Sequence, residues 1–139
     1  MANYAHPEVL VTTDWVAFLD SDDELKPNHL RACARHATLT GADVMYPWFD
    51  GYDPMGMFGV PFDPELLRRR NYIPVTVLAR TAMVKAVGGF ADHPDEHGDP
   101  CEDWGLWLKL LDLGAKFSHL PQRTWIWHPG GTRGRAPDT

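Results

Sequence analysis

The apolar run Trp15-Val16-Ala17-Phe18-Leu19 stops abruptly on Asp20-Ser21-Asp22-Asp23, and this junction constrains the fold more than any other stretch. The run is short and rich in β-branched and aromatic residues, which favours a buried strand over a helix. Three carboxylates in four positions cannot follow it into a core. The strand therefore has to end at the surface, with its acids at the C-terminal end, where ligands bind in open α/β sheets.

The rest of the chain alternates strand and helix patterns after an irregular or helical lead-in over residues 1–13. Pro27 suits the first turn of a helix, in which Leu30, Cys33, Ala34 and Ala37 form the inward face and Gly41 ends the element. Asp43 to Phe49 reads as a second strand and Gly51 to Pro64 as a long loop punctuated by Gly and Pro. Tyr72 to Ala79 reads as a third strand, with Pro74 marking an edge or a strand start. Thr81 is placed to cap a short helix bearing Met83, Val84 and Val87, which Gly88-Gly89 terminates. Glu102 and Asp103 open the clearest helix, with Trp104, Trp107, Leu108 and Leu111 on one face and Gly114 as C-cap. Lys116 to Leu120 is a fourth short strand. The expected product is one α/β domain over residues 1–128, a mixed sheet with flanking helices, and a flexible tail over 129–139.

Composition removes several classes of function. The formal charge is −6 and the only basic run is Arg68-Arg69-Arg70, so a nucleic acid partner is not expected. No apolar run approaches the roughly 20 residues of a membrane span. Two cysteines, Cys33 and Cys101, cannot build a disulfide framework, and a reducing, cytoplasmic setting is the default expectation.

Asp20, Asp22 and Asp23 offer oxygen ligands only, which select a hard cation such as Mg²⁺ or Mn²⁺. An EF-hand is ruled out by Leu25 and Arg31, which stand where such a loop needs Gly and Glu. The competing reading is a solvated acidic turn that caps the following helix. Glu102-Asp103 poses the same choice. Acids at a helix start are stabilised by the macrodipole, but a carboxylate there can also serve as a general base, with Trp104 and Trp107 as low-dielectric walls. His93, His97 and Cys101 have a helical spacing suited to zinc, which Pro94, Gly98 and Pro100 break. His128, taken alone, reads as a surface or structural residue.

Together these pieces resemble the family-2 glycosyltransferases of the GT-A fold. Trp15–Leu30, WVAFLDSDDELKPNHL, looks like the strand carrying that family's DxD metal motif with the helix after it. Val87-Gly88-Gly89-Phe90, then Glu102-Asp103-Trp104-Gly105-Leu106-Trp107, looks like its acceptor-side signature. Leu113-Gly114-Ala115-Lys116, Leu120-Pro121 and His128 follow in family order. The resemblance implies a partial GT-A fold and an inverting, metal-dependent transfer of sugar from a nucleotide-diphosphate donor, a UDP-sugar first, to a saccharide or other hydroxyl acceptor.

The resemblance also implies roles. Asp20 lies toward the ribose and the Mn²⁺ or Mg²⁺ ion, Asp22 coordinates that ion beside the diphosphate, and Asp23 supports them. Asp103 is the general base with Glu102 beside it; Gly88 and Gly89 border the sugar and acceptor site, which Trp104 lines; His128 assists the metal. The region that holds the nucleobase in the family has no counterpart before Met1. The resemblance therefore implies a truncated domain; the sheet edge that truncation would expose makes a homodimer one expected partner, and a complementing N-terminal half is the other. The alternatives are a non-catalytic binding module or subunit and, more remotely, a phosphohydrolase using the same acids.

Overall fold

The computed structural model describes residues 13–51, 53, 56–91, 93–94 and 101–128. The lead-in over residues 1–12 and the tail over 129–139 lie outside them, as does His97. Among the described residues nine elements follow in order: β1 (Trp15–Ala17), β2 (Glu24–Leu25), α1 (His29–Thr40), β3 (Val44–Asp50), α2 (Pro64–Arg69), β4 (Leu78–Arg80), α3 (Thr81–Ala86), α4 (Glu102–Leu113) and β5 (Phe117–Ile126). The strands form one mixed sheet in the order β1-β4-β3-β5-β2. β3 and β5 run parallel at its centre, whereas β1/β4, β3/β4 and β2/β5 are antiparallel.

Alternation along β3 explains why helices cover both faces. Val44 and Tyr46 join a core with Phe117 of β5 and with Trp104, Leu106, Trp107 and Leu110 of α4. Met45, one position out of phase, points the other way and packs with Cys33 and Ala37 of α1 and with Leu120. The expected mixed sheet with flanking helices is what forms. Among the described residues, no helix is long and apolar enough to cross a membrane.

Several local expectations give way to tertiary contacts. The inward stripe of α1 is His29, Cys33 and Ala37, with Leu30 turned outward at 54% exposure. The i, i+4, i+8 row therefore replaces the one centred on Leu30, and it carries a buried histidine that period alone does not suggest. On α4 the innermost residues are Leu106, Trp107 and Leu110, while Leu108 and Leu111 are half-buried. The third strand shrinks from Tyr72–Ala79 to Leu78–Arg80. Tyr72, Ile73 and Val77 are still fully buried, but as irregular chain, because Pro74 has no N–H for a ladder and restricts the residue before it.

Helix α2 starts where the region read as loop ends, sharing only Pro64 with it. Asp63 caps it by accepting from the Leu66 N–H at 3.2 Å, Pro64 stands at its start, and Leu67 is its buried anchor. Arg80, not Thr81, is the N-cap of α3. β5 is the largest departure: it extends from Phe117 to Ile126 through Pro121. The register against β3 jumps from Pro47↔Leu120 to Trp48↔Arg123, a bulge that lets Pro121 pass without a ladder hydrogen bond. β1 lies at one edge of this sheet with its residues half-buried or exposed, rather than buried as its composition suggests.

Glycine matters most at position 105. A side chain there would collide with the carbonyl of Ala91, so its absence lets the first turn of α4 sit directly on the segment that carries Phe90.

Candidate active site

The C-terminal ends of β1, β3 and β5, the irregular segment from Asn71 to Thr76 and the start of α4 surround a cleft of about 350 Å³. Asp20, Asp23, Glu102 and Asp103 all line it, so folding brings the two acidic sequences together from distant parts of the chain.

The first acidic group sits on a tight turn in which the Asp23 N–H donates to the Asp20 carbonyl at 3.1 Å. The two-residue strand β2 then pairs with the end of β5, Glu24 against Ile126 and Leu25 against Trp125. This pairing brings His128 alongside: its backbone N–H donates to Asp23 Oδ1 at 2.8 Å, and its imidazole meets Glu24 at 3.1 Å. Asp20, Asp22 and Asp23 are half-buried, and each can direct an oxygen to within 4.8 Å of the others'. Three carboxylates so close repel unless a cation lies among them, and an all-oxygen set suits Mg²⁺ or Mn²⁺. The residues present thus fit the ion that the DxD-like pattern implies. His128 is not in that group: its ring meets Glu24, while its backbone N–H holds Asp23.

Asp103 occupies the first turn of α4, where the macrodipole favours its charge. Three donors converge on its Oδ1: the Trp104 N–H at 2.9 Å, the Cys101 thiol at 3.2 Å and the Asn71 amide at 3.3 Å. Burial nevertheless raises the carboxyl above its ordinary range, and the negative charge of Asp20 adds to that rise, while the three donors oppose it. The Cys101 thiol is itself pushed up to about 11, first by burial and then by the charge of Asp103. It therefore remains protonated at neutral pH and acts as a donor. A half-buried carboxyl whose pKa is raised by burial, facing a cleft, is a candidate proton acceptor.

The other sequence candidates fall in different places. Gly88 and Gly89, at φ 82° and 80°, shape the turn after α3 and do not line the cleft; the next residue, Phe90, does. Trp104 is a core residue, 6% exposed, with its indole N–H on the Leu67 carbonyl at 2.8 Å. It is not an open platform for a sugar, because α2 packs over the face that composition alone left unassigned. Trp107 is fully buried and bonds the Ile73 carbonyl at 2.9 Å. Among the described residues, His93 and Cys101 belong to no cluster of three metal-ligating side chains.

Sequence reasoning missed two parts of the site. Asn71 carried no local signal. The aromatic wall of Phe49, Phe58, Trp125 and Trp127, with ring centroids 4.9–6.0 Å apart in successive contacts, was half visible in the alternation Trp125-Ile126-Trp127. Its partners come from β3 and from the loop after it.

Comparison with known proteins supplies a family. The family described as glycosyl transferase family 2 matches residues 10–88, more than half of the chain. The fold resembles a crystal structure of S. aureus TarS 1–349, with a TM-score of 0.62 and 20% identity over 87% of this chain and 37% of that one. A second TarS structure, in complex with UDP-GlcNAc, gives a TM-score of 0.61 and 18% identity over 84% of this chain and 35% of that one. The chain thus spans little more than a third of the TarS structures it matches. No curated protein matches it.

Proposed function

The chain belongs to glycosyl transferase family 2, and from that premise we propose that its cleft performs the inverting transfer of a sugar from a nucleotide-diphosphate donor to an acceptor hydroxyl. The observation that carries this reading is the placement of Asp20, Asp23 and Asp103 on one cleft, with Asp22 close beside the first two. Donor-side and acceptor-side chemistry need each other within a few ångströms, and this sequence supplies both from segments far apart.

Asp20, Asp22 and Asp23 would hold Mn²⁺ or Mg²⁺. Such a cation, when bound, offsets the charge that develops on a departing nucleoside diphosphate. The chain's own residues account for the remainder. Asp103 accepts the proton of the acceptor hydroxyl as that oxygen forms its bond to the anomeric carbon; the carbon–oxygen bond to the diphosphate breaks with the electron pair leaving on the phosphate. A base and a leaving-group site on opposite sides of the sugar give one displacement and hence one inversion. Orienting the two substrates supplies much of the rate advantage. Phe49, Phe58 and Trp127 give the cleft apolar faces against which a sugar ring can pack.

A UDP-sugar is the donor to test first, because a structure of the same fold was solved with UDP-GlcNAc. The test is a panel of nucleotide sugars with Mn²⁺ and with saccharide and simple alcohol acceptors, with NMR reading the anomeric configuration of the product. Metal-dependent transfer with inversion supports the proposal. Retention, or metal-independent release of phosphate without an acceptor, contradicts it.

A further inference from the structure

We propose that Asn71 and Cys101 are positioning residues that pin Oδ1 of Asp103 and leave Oδ2 as the atom presented for the acceptor's proton. This inference rests on the reading of Asp103 as the base and adds which atom acts and what holds it. The Asn71 amide can be oriented from its own partners: its Oδ1 accepts from the Ile73 N–H at 3.3 Å, so its Nδ2 faces Asp103 Oδ1 at 3.3 Å and Cys101 Sγ at 3.5 Å. Cys101 Sγ donates to the same carboxylate oxygen at 3.2 Å, and the Trp104 N–H donates to it at 2.9 Å. Three donors thus converge on one oxygen, and among the described residues no hydrogen bond reaches Oδ2.

The arrangement is anchored as well as bonded. Ile73, which fixes the Asn71 amide, is fully buried, and its carbonyl takes the indole N–H of Trp107 from the second turn of α4. The segment bearing Asn71 and the helix bearing Asp103 are therefore tied at two points. A carboxylate held through one oxygen cannot rotate freely, and a base aimed in this way avoids the entropic cost of finding its orientation during reaction. The other titratable groups lining the cleft are Asp20, Asp23, Glu102 and Cys101. The acids among them oppose the charge on Asp103, which makes its fixed donors the more consequential.

The experiment uses the full chain and two readouts. A ¹³C NMR titration follows the Asp103 carboxyl in wild type, Asn71→Leu, Cys101→Ala and Cys101→Ser; kinetics follow kcat and KM in the same set, with Asp103→Asn alongside. Asn71→Leu removes a donor to the charged form, so the carboxyl should titrate about one pH unit higher. Its kcat should fall about tenfold with KM little changed. Cys101→Ala should act in the same direction, and Cys101→Ser, which keeps a donor, should restore both readouts toward wild type. Unaltered Asp103 titration in both Asn71→Leu and Cys101→Ala overturns the proposal whether or not transfer is observed. Normal kcat in those two variants, with Asp103→Asn inactive, also overturns it while leaving the base assignment standing. An active Asp103→Asn overturns the base assignment itself. Should Asn71→Leu fail to fold, the Cys101 pair decides.

Discussion

Asp20, three residues past the end of β1, and Asp103, in the first turn of α4, face the same cleft, and the charge on the first helps hold the proton on the second. The pairing ties the donor side of the site to the acceptor side by electrostatics as well as by position. It also makes the state of Asp103 sensitive to whatever neutralises the acids after β1.

Asp103→Asn should abolish most turnover and leave the fold intact. The amide keeps the shape, and its oxygen can still accept from the Trp104 N–H, but it cannot take a proton. Transfer should fall by about two to four orders of magnitude, with the thermal midpoint at neutral pH unchanged or raised. Retention of most activity would show that another group receives the proton.

The same substitution has a pH signature in stability. Asp103 holds its proton more tightly folded than unfolded. Between the ordinary carboxyl pKa of about 3.9 and the raised native value, the native state binds more protons, and this residue's contribution to stability falls as pH rises. Burial and the neighbouring His36 push His119 the other way, down to about 4, so its contribution is lost as the solution is acidified below its unfolded value. Comparing variant with wild type cancels the His119 effect. Urea melts should show Asp103→Asn gaining on wild type as pH rises from about 4 to 7; a constant difference would contradict the buried-carboxyl assignment.

Trp107 and Trp104 should both behave as core. Trp107→Ala removes a fully buried ring and leaves the Ile73 carbonyl unpaired, at a cost of about 3–5 kcal/mol. Trp104→Phe keeps most of the volume but strands the Leu67 carbonyl, costing about 1–3 kcal/mol. Denaturant unfolding measures both. A Trp104→Phe variant of wild-type stability but weakened acceptor binding would return that ring to the cleft.

Gly105→Ala tests how the helix reaches the site. Alanine normally stabilises a helix relative to glycine, yet here its methyl group would strike the Ala91 carbonyl. The substitution should cost about 1–3 kcal/mol or more. A stabilised variant would mean that α4 does not lie against that segment.

Much of this was legible in the chain, for identifiable reasons. The αL caps at Gly41 and Gly114, the position of β3 and the start of α4 follow from local rules that tertiary structure had no cause to override. The acids after β1 were legible as candidates because three charges cannot be buried. Trp104 misled because an aromatic beside an acid looks the same whether α2 packs over it or solvent does. β5 misled because a bulge at Pro121, set by its partner strand, leaves no trace in its own periodicity. Asn71 could not be read at all: its importance is a contact with Asp103 that exists only once Pro74, Ile73 and Trp107 have fixed the chain between them.

The central claim is that one cleft holds donor-side acids and acceptor-side base together. Backbone NMR shift mapping of the chain titrated with Mg²⁺ and UDP-GlcNAc tests it most directly, in wild type and in Asp22→Ala. Asp22 is the informative substitution because its carboxylate makes no hydrogen bond among the described residues, so removing it takes away the proposed cation ligand and little else. The account predicts shifts that need both Mg²⁺ and donor, concentrated at residues 20–23 and 102–104 together, and lost in Asp22→Ala. Shifts confined to another surface, or unchanged in Asp22→Ala, would contradict it.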